Sequence, residues 1–150
     1  MLIYFYNIFK FLIFSIFNYT NRYRLICDRI DKKPYLERYY IFLKNRDKFP
    51  FNIFIHKFLK SDFEDLHDHP WDFISIPIWP GYWEYTYDNN IILKKWRKPF
   101  SLKYSKAEKL HRVELNNKFN YCWTLFIPLK TKREWGFKTS NGWIHNNDYF

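Results

Sequence analysis

From Lys32 onward the chain is a succession of short β-forming runs separated by turn residues, and nothing between them carries the helical periodicity of a crossover helix. Tyr39 to Leu43 and Asn52 to Lys60 flank a turn at Asn45 to Pro50. Phe73 to Tyr87 is a long strand signal broken at Pro80-Gly81, and Asp88-Asn89-Asn90 reads as the turn into Ile91 to Tyr104. His111 to Leu115, Tyr121 to Leu129 and Trp135 to Lys138 complete the set. Short strands at this spacing predict an all-β barrel or sandwich. A chain of 150 residues suits one such domain, large enough to bury a core without disulfides. The two cysteines, Cys27 and Cys122, have no metal-ligand spacing. Cys122 lies in the apolar run Tyr121 to Pro128 and reads as a buried strand thiol, a usage that fits a reducing compartment.

Residues 1–31 stand apart as an amino-terminal amphipathic helical segment, leaving 32–150 as the barrel domain. Residues 1–20 are strongly apolar, but Asn7, Lys10, Asn18 and Asn21 fall on one narrow helical stripe with Phe14 the only apolar intruder. Three readings follow: an accessory helix packed on the barrel or on a dimer partner, a membrane-surface or anchoring helix, and a cleaved signal. The stretch is shorter and more interrupted than a membrane span and lacks the leading charge and small-residue cleavage site of a secretory signal. Arg22, Arg24 and Arg29 suit anionic headgroups as well as solvent. The expected location is cytoplasmic, with membrane association through this helix as the alternative.

Within the strand pattern, His67-Asp68-His69 is followed at a distance by the lone His111. Alternate residues of a strand share a face, so His67 and His69 can offer two imidazoles to one ion while Asp68 points away. A third imidazole from a distant strand makes a facial triad, which leaves coordination positions open for substrate or oxygen.

The surroundings of these histidines resemble the cupin superfamily. Leu66-His67-Asp68-His69-Pro70-Trp71 through Gly81 is similar to its first motif, a His-x-His bounded by glycines. His111-Arg112-Val113-Glu114-Leu115 sits where the single histidine of its second motif falls. Bacterial and phage cupins carry blocks similar to these two and to Arg133-Glu134-Trp135-Gly136-Phe137, and the likeness covers about Pro34 to Phe150. The resemblance implies a cupin-like double-stranded β-helix, or jelly-roll barrel, with a metal in its mouth. The family's acidic ligand would fall at Phe73 or Ile74, neither of which binds metal, so the implied site is His67, His69 and His111. Asp72 comes one residue early and becomes a fourth ligand only if a bulge at Pro70 turns its carboxylate inward. The glycine and proline before the second-motif histidine are missing, and Leu115 replaces its asparagine.

Other residues are candidates for substrate binding. His56 shares a strand face with Phe54 and Phe58 and becomes a substrate group if that face lines the barrel. Arg133 can clamp a carboxylate or phosphate through its fork of donors. Trp83, with Trp71, Trp79 and Tyr85, can wall a pocket, although core packing accounts for them equally. Glu64, Asp65 and Asp68 crowd the His-x-His, either as turn carboxylates or as acceptors of a ligand imidazole's distal N–H. Glu114 lies opposite in parity to His111 and is expected to face out toward a basic neighbour.

Seven Trp, thirteen Tyr and seventeen Phe suggest an aromatic binding surface, but a single Ala, three Gly and abundant Asn, Ile and Lys are what an AT-rich coding sequence produces. The same bias accounts for part of the net charge of +10. Lys94, Lys95, Arg97, Lys98, Lys103, Lys106 and Lys109 form one basic stretch and Lys130, Lys132 and Arg133 another. They read as solvated strand edges or as a face toward phosphates and nucleic acid, with no nucleic-acid motif beside them.

The leading expectation is a small-molecule metalloenzyme of the non-haem Fe(II) oxygenase type, with zinc, manganese or nickel as other candidate ions. The alternatives are an isomerase or epimerase of the sugar type and a non-catalytic basic binding module. The expected partner is a small-molecule substrate. Nucleic acid, a membrane surface and a second copy of the chain stand behind it.

Overall fold

The computed structural model describes residues 15–149. Twelve strands follow a short helix at residues 15–19: β1 Tyr23–Cys27, β2 Pro34–Tyr40, β3 Phe54–Phe58, β4 Leu66–His67, β5 Trp71–Trp79, β6 Tyr82–Asp88, β7 Ile91–Arg97, β8 Lys103–Ser105, β9 His111–Leu115, β10 Cys122–Thr131, β11 Gly136–Thr139 and β12 Gly142–His145. They form two six-stranded antiparallel sheets, ordered β1-β2-β3-β10-β5-β8 and β12-β11-β4-β9-β6-β7. Sequence neighbours are often split between the sheets, as β4 and β5 are, which is the double-sheet jelly roll that the strand pattern predicts.

Turn chemistry fixes the hairpins. Asn89 and Asn90 both adopt positive φ, 47° and 64°, which a two-residue hairpin between right-twisted strands requires, and they join β6 to β7 in unbroken register. Gly81 has φ +103°, and a Cβ there would stand 2.5 Å from the Arg97 carbonyl oxygen, so only glycine lets β6 leave β5 so close to β7.

The first sheet begins earlier than the sequence pattern indicates. Tyr23–Cys27 pairs with β2, so a strand occupies part of the 1–31 segment that was expected to be helical. The helical residues 15–19 place Phe17 edge-on against Tyr39 at 5.5 Å, and Tyr39 in turn faces Trp123 at 5.8 Å. That helix therefore covers the outer face of the first sheet. Two of the four residues of the proposed polar stripe, Asn7 and Lys10, lie outside the described residues. Among those residues no helix is long and apolar enough to cross a membrane.

Strand alternation divides the first sheet into two faces. Arg38, His56 and Thr124 are cross-strand partners on β2, β3 and β10, and they line the space between the sheets with Phe73 and Phe126. The second sheet contributes Tyr82, Val113 and Leu115, which pack with Cys122 and Phe58 at one end of that space. Cys122 is fully buried, as its apolar run predicts, and burial pushes its thiol up to about 12. The interior also holds His56, Glu84, His111 and Thr124. Polar groups of this kind cost free energy to bury unless each finds a partner, so their presence points to a site.

Candidate metal centre

His67 is the second residue of β4 and pairs directly with His111 on β9. Sheet register thus makes neighbours of two histidines that are distant in sequence. His69 lies beyond the end of β4, where its backbone N–H donates to the Ala107 carbonyl at 2.9 Å. The residue between them works from the other side. Asp68 is buried and accepts hydrogen bonds from the Gly136 N–H at 2.7 Å, the Trp143 indole at 3.0 Å and the Arg133 guanidinium. Holding Asp68 outward turns both flanking imidazoles inward. Two sequence blocks, the His-x-His and Arg133 to Phe137, are therefore one structural unit.

One ligand atom from each of His67, His69 and His111 lies within 4.8 Å of the others. The Nε2 atoms of His69 and His111 are 2.8 Å apart. Two imidazoles bound to one ion at about 2.1 Å and at right angles would stand about 3.0 Å apart, against about 3.4 Å for tetrahedral ligands. The pair stands at hydrogen-bond distance, close to the spacing of two imidazoles that would share one ion. His111 Nδ1 stands 2.9 Å from Glu84 Oε1. A carboxylate only accepts, so neutral His111 carries its proton on Nδ1, leaving the Nε2 lone pair free; His69 then donates its Nε2–H to it when no ion intervenes. His67 Nδ1 is 3.9 Å from Asp62 Oδ2, and Asp62 is itself anchored by the Val113 N–H at 2.6 Å and by the Tyr35 hydroxyl.

Burial favours neutral imidazoles at His67 and His69. Burial pushes His67 down to about 4 against the opposing pull of Asp62, and burial together with His111 and His67 holds His69 well below the usual histidine range. Burial works to raise the Glu84 carboxyl, but His111 and Lys103 outweigh it and bring it down to about 2. Lys103 and Arg97 both face Glu84, so the carboxylate that orients His111 is matched by charge.

The three imidazoles open on a cavity of about 330 Å³. Phe73, Phe126 and Phe137 supply apolar walls, while His56 and Arg38 face it from the first sheet. The His56 ring lies between those of Phe54 and Phe126, at 5.6 and 5.1 Å, and accepts a hydrogen bond from Arg38 Nε at 3.0 Å.

Several expected site residues lie elsewhere. Trp71, Phe73 and Ser75 face the cavity, so the intervening Asp72 faces away. Hydrogen bonds from Lys132, Tyr104 and the Ala107 N–H occupy its carboxylate and hold it at about 2. Asp72 is therefore a structural anchor and not a fourth ligand. Arg133 is committed to Asp68 and does not line the cavity. Trp83 packs against Trp96 at 5.2 Å on the outer face of the second sheet, with Lys94 over its ring. Glu114 faces out as expected and pairs with Lys94 and Arg112. Lys94, Arg97, Lys103, Lys132 and Arg133 each have a carboxylate partner, so the basic stretches are in good part internally matched.

Glu84, Lys103, Asp62 and Arg38 did not stand out in the sequence. Glu84 was legible in principle, because an acid flanked by Trp83 and Tyr85 on a strand must point opposite to them.

No family model and no curated protein matches the chain by sequence. Its fold is similar to solved structures. A cupin-2 domain protein from Rhodospirillum rubrum, Rru_A2000, superposes with a TM-score of 0.59, covering 80% of this chain and 78% of that one at 9% identity. Fe(II)-HppE with the alternative substrate (S)-1-HPP gives a TM-score of 0.57 at 6% identity, covering 73% of this chain. Hydroxypropylphosphonic acid epoxidase from S. wedmorenis gives 0.54, again at 6% identity and over 73% of this chain. The chain spans 57% of the HppE chain and 56% of the epoxidase chain, less than two thirds of either. At these identities the likeness concerns the fold, and the fold is the cupin jelly roll.

Proposed function

We propose that the protein is a metal-dependent cupin that holds a divalent ion, iron(II) first, on His67, His69 and His111, and that it oxidises a small molecule in the manner of non-haem Fe(II) oxygenases. The observation that carries this reading is the hydrogen bond between His111 Nδ1 and Glu84, which turns the His111 Nε2 toward His69 inside a largely apolar cavity. The Fe(II) named with the HppE structure supports the choice of ion.

Bound iron would supply open coordination positions and one-electron chemistry. The residues of this chain do the rest. Glu84 fixes the His111 tautomer and Lys103 keeps Glu84 ionised, so the donor atom does not have to be deprotonated when the ion arrives. Phe73, Phe126 and Phe137 line the cavity with apolar surface, and apolar surroundings strengthen electrostatic contacts to a substrate.

Elemental analysis of full-length protein purified without a metal-binding tag tests the proposal, followed by a metabolite screen for oxygen consumption with the occupied ion. Iron near one ion per chain, lost in His67→Ala, is the expected result. Protein that retains none of iron(II), manganese, nickel or zinc when offered each would return the cavity to epimerisation or to plain binding.

A further inference from the structure

Asp28, Arg29 and Asp62 reach the cavity from loops, and among the described residues Arg38 is the one Asp, Glu, Lys or Arg on the strands of the first sheet that lines it, with no carboxylate paired to it. Guanidinium stays protonated at any physiological pH. Other shielded cations of the barrel meet carboxylates: Lys57 meets Glu37, and Lys103 and Arg97 meet Glu84. Among the described residues no Asp or Glu pairs with Arg38, and residues 1–14 contain neither. Its contacts are the His56 ring nitrogen, the face of Phe54 at 4.7 Å and the Tyr40 hydroxyl, none of them a carboxylate. A charge shielded from water without a partner is costly, so a half-buried guanidinium lining a cavity with no carboxylate beside it suits a ligand that supplies the missing charge.

His56 completes the pair. The Arg38 Nε–H can only donate, so His56 Nε2 must accept and the imidazole proton sits on Nδ1. Phe54 and Phe126 fix the ring plane, and Arg38 and His56 are direct cross-strand partners. The two side chains thus present rigidly placed donors on the wall that shares its cavity with the three histidines. At about 330 Å³ the cavity is near the lower end of the range of about 300 to 1,000 Å³ typical of small-molecule sites.

We infer that the cavity binds a small oxyanion, a molecule with a carboxylate or phosphonate head held by Arg38 and His56 and its other end toward His67, His69 and His111. The anion site stands on Arg38 alone; only the orientation of the second end rests on the metal-centre reading.

The test titrates full-length protein, chelated and cobalt-loaded, with acetate, methylphosphonate and the neutral acetamide, following the NMR signals of Arg38 Nε–H and the His56 ring. Saturable shifts with an anion and none with acetamide are expected in both forms, and the tighter anion identifies the head group. Arg38→Met should weaken anion binding by at least about tenfold with metal content unchanged. His67→Ala should lose metal and keep the anion. That last result with no metal bound by the wild type would sink the metal centre and leave the anion site standing. Equal binding of acetamide, no shift with either anion in the wild type, or undiminished binding in Arg38→Met overturns the inference while leaving the metal centre intact. The wild-type comparison decides the matter even if Arg38→Met does not fold.

Discussion

Glu84 accepts a hydrogen bond from His111 Nδ1 at 2.9 Å and is closed in from behind by Lys103 and Arg97. Orientation of the ligand and neutralisation of the carboxylate are thus two separable functions of one cluster. Glu84→Gln should lower divalent-metal affinity by about 10- to 100-fold, as loss of an orienting partner does. It should also destabilise the fold by a few kcal/mol, on the order expected when a buried ion pair loses one partner. Adding Lys103→Met to that variant removes the nearer of the two orphaned cations, leaving Arg97, and should recover part of the stability without recovering the metal affinity. Competition titration with a chelating dye and urea denaturation measure the two effects; parallel recovery of both would show that Glu84 acts only as a counterion.

His67→Ala, His69→Ala and His111→Ala should each abolish most metal binding, because each removes one of three donors gathered within 4.8 Å. Asp72→Ala should leave metal affinity unchanged. Its carboxylate receives Lys132, Tyr104 and the Ala107 N–H, so the cost appears as lost stability of about 1 to 3 kcal/mol from the partners left behind. Calorimetric metal titration beside thermal denaturation separates the two classes. Metal affinity lost in Asp72→Ala would bring back the four-ligand site.

The histidine triad was legible because both of its signals are local: a His-x-His pair needs only strand alternation, and the third histidine stands in a short strand pattern of its own. Asp72 misled because a bulge at Pro70 was invoked to turn it inward. The irregularity nearest Pro70 falls instead on the facing strand, between Pro128 and Thr131, and β5 keeps its faces from Trp71 to Pro77. Arg133 could not be read correctly from its own block, since its partner Asp68 belongs to the His-x-His block, far away in sequence and brought beside it only by the pairing of β4 with β11. Arg38 lacks any local signal. Its meaning depends on the absence of a carboxylate in three dimensions, which no window of sequence contains. The early strand β1 was hidden by the apolar run before it, whose composition favours a helix across the boundary.

Deletion of residues 1–20 should leave metal binding intact, because the triad lies between the sheets and the helix at residues 15–19 sits on the outer face of the first sheet. Stability should fall modestly as Tyr39 and Trp123 lose the cover of Phe17. A truncated protein that folds but binds no metal would show that this segment reaches the site.

The pH dependence of the metal-free fold should show two stages, both in the same direction. His56, His67 and His69 are buried with their protonation suppressed, His67 to about 4, whereas an unfolded histidine titrates near about 6.5. Between those values the unfolded chain binds more protons than the native one, so stability declines as pH falls below about 6.5. His67 alone contributes a loss on the order of 3 kcal/mol by pH 4. Asp72 and Glu84, both held at about 2, add a second decline below about pH 4, where unfolded carboxylates begin to protonate and the native ones resist. Metal-loaded protein should fall more steeply through the first stage, because protons then compete with the ion for the same nitrogens. Urea midpoints between pH 7.5 and pH 3, with and without metal, give the curves. A flat metal-free profile between pH 6.5 and pH 4 would mean that the cavity tolerates imidazolium, and neutral His67 and His69 poised for an ion would have to be abandoned.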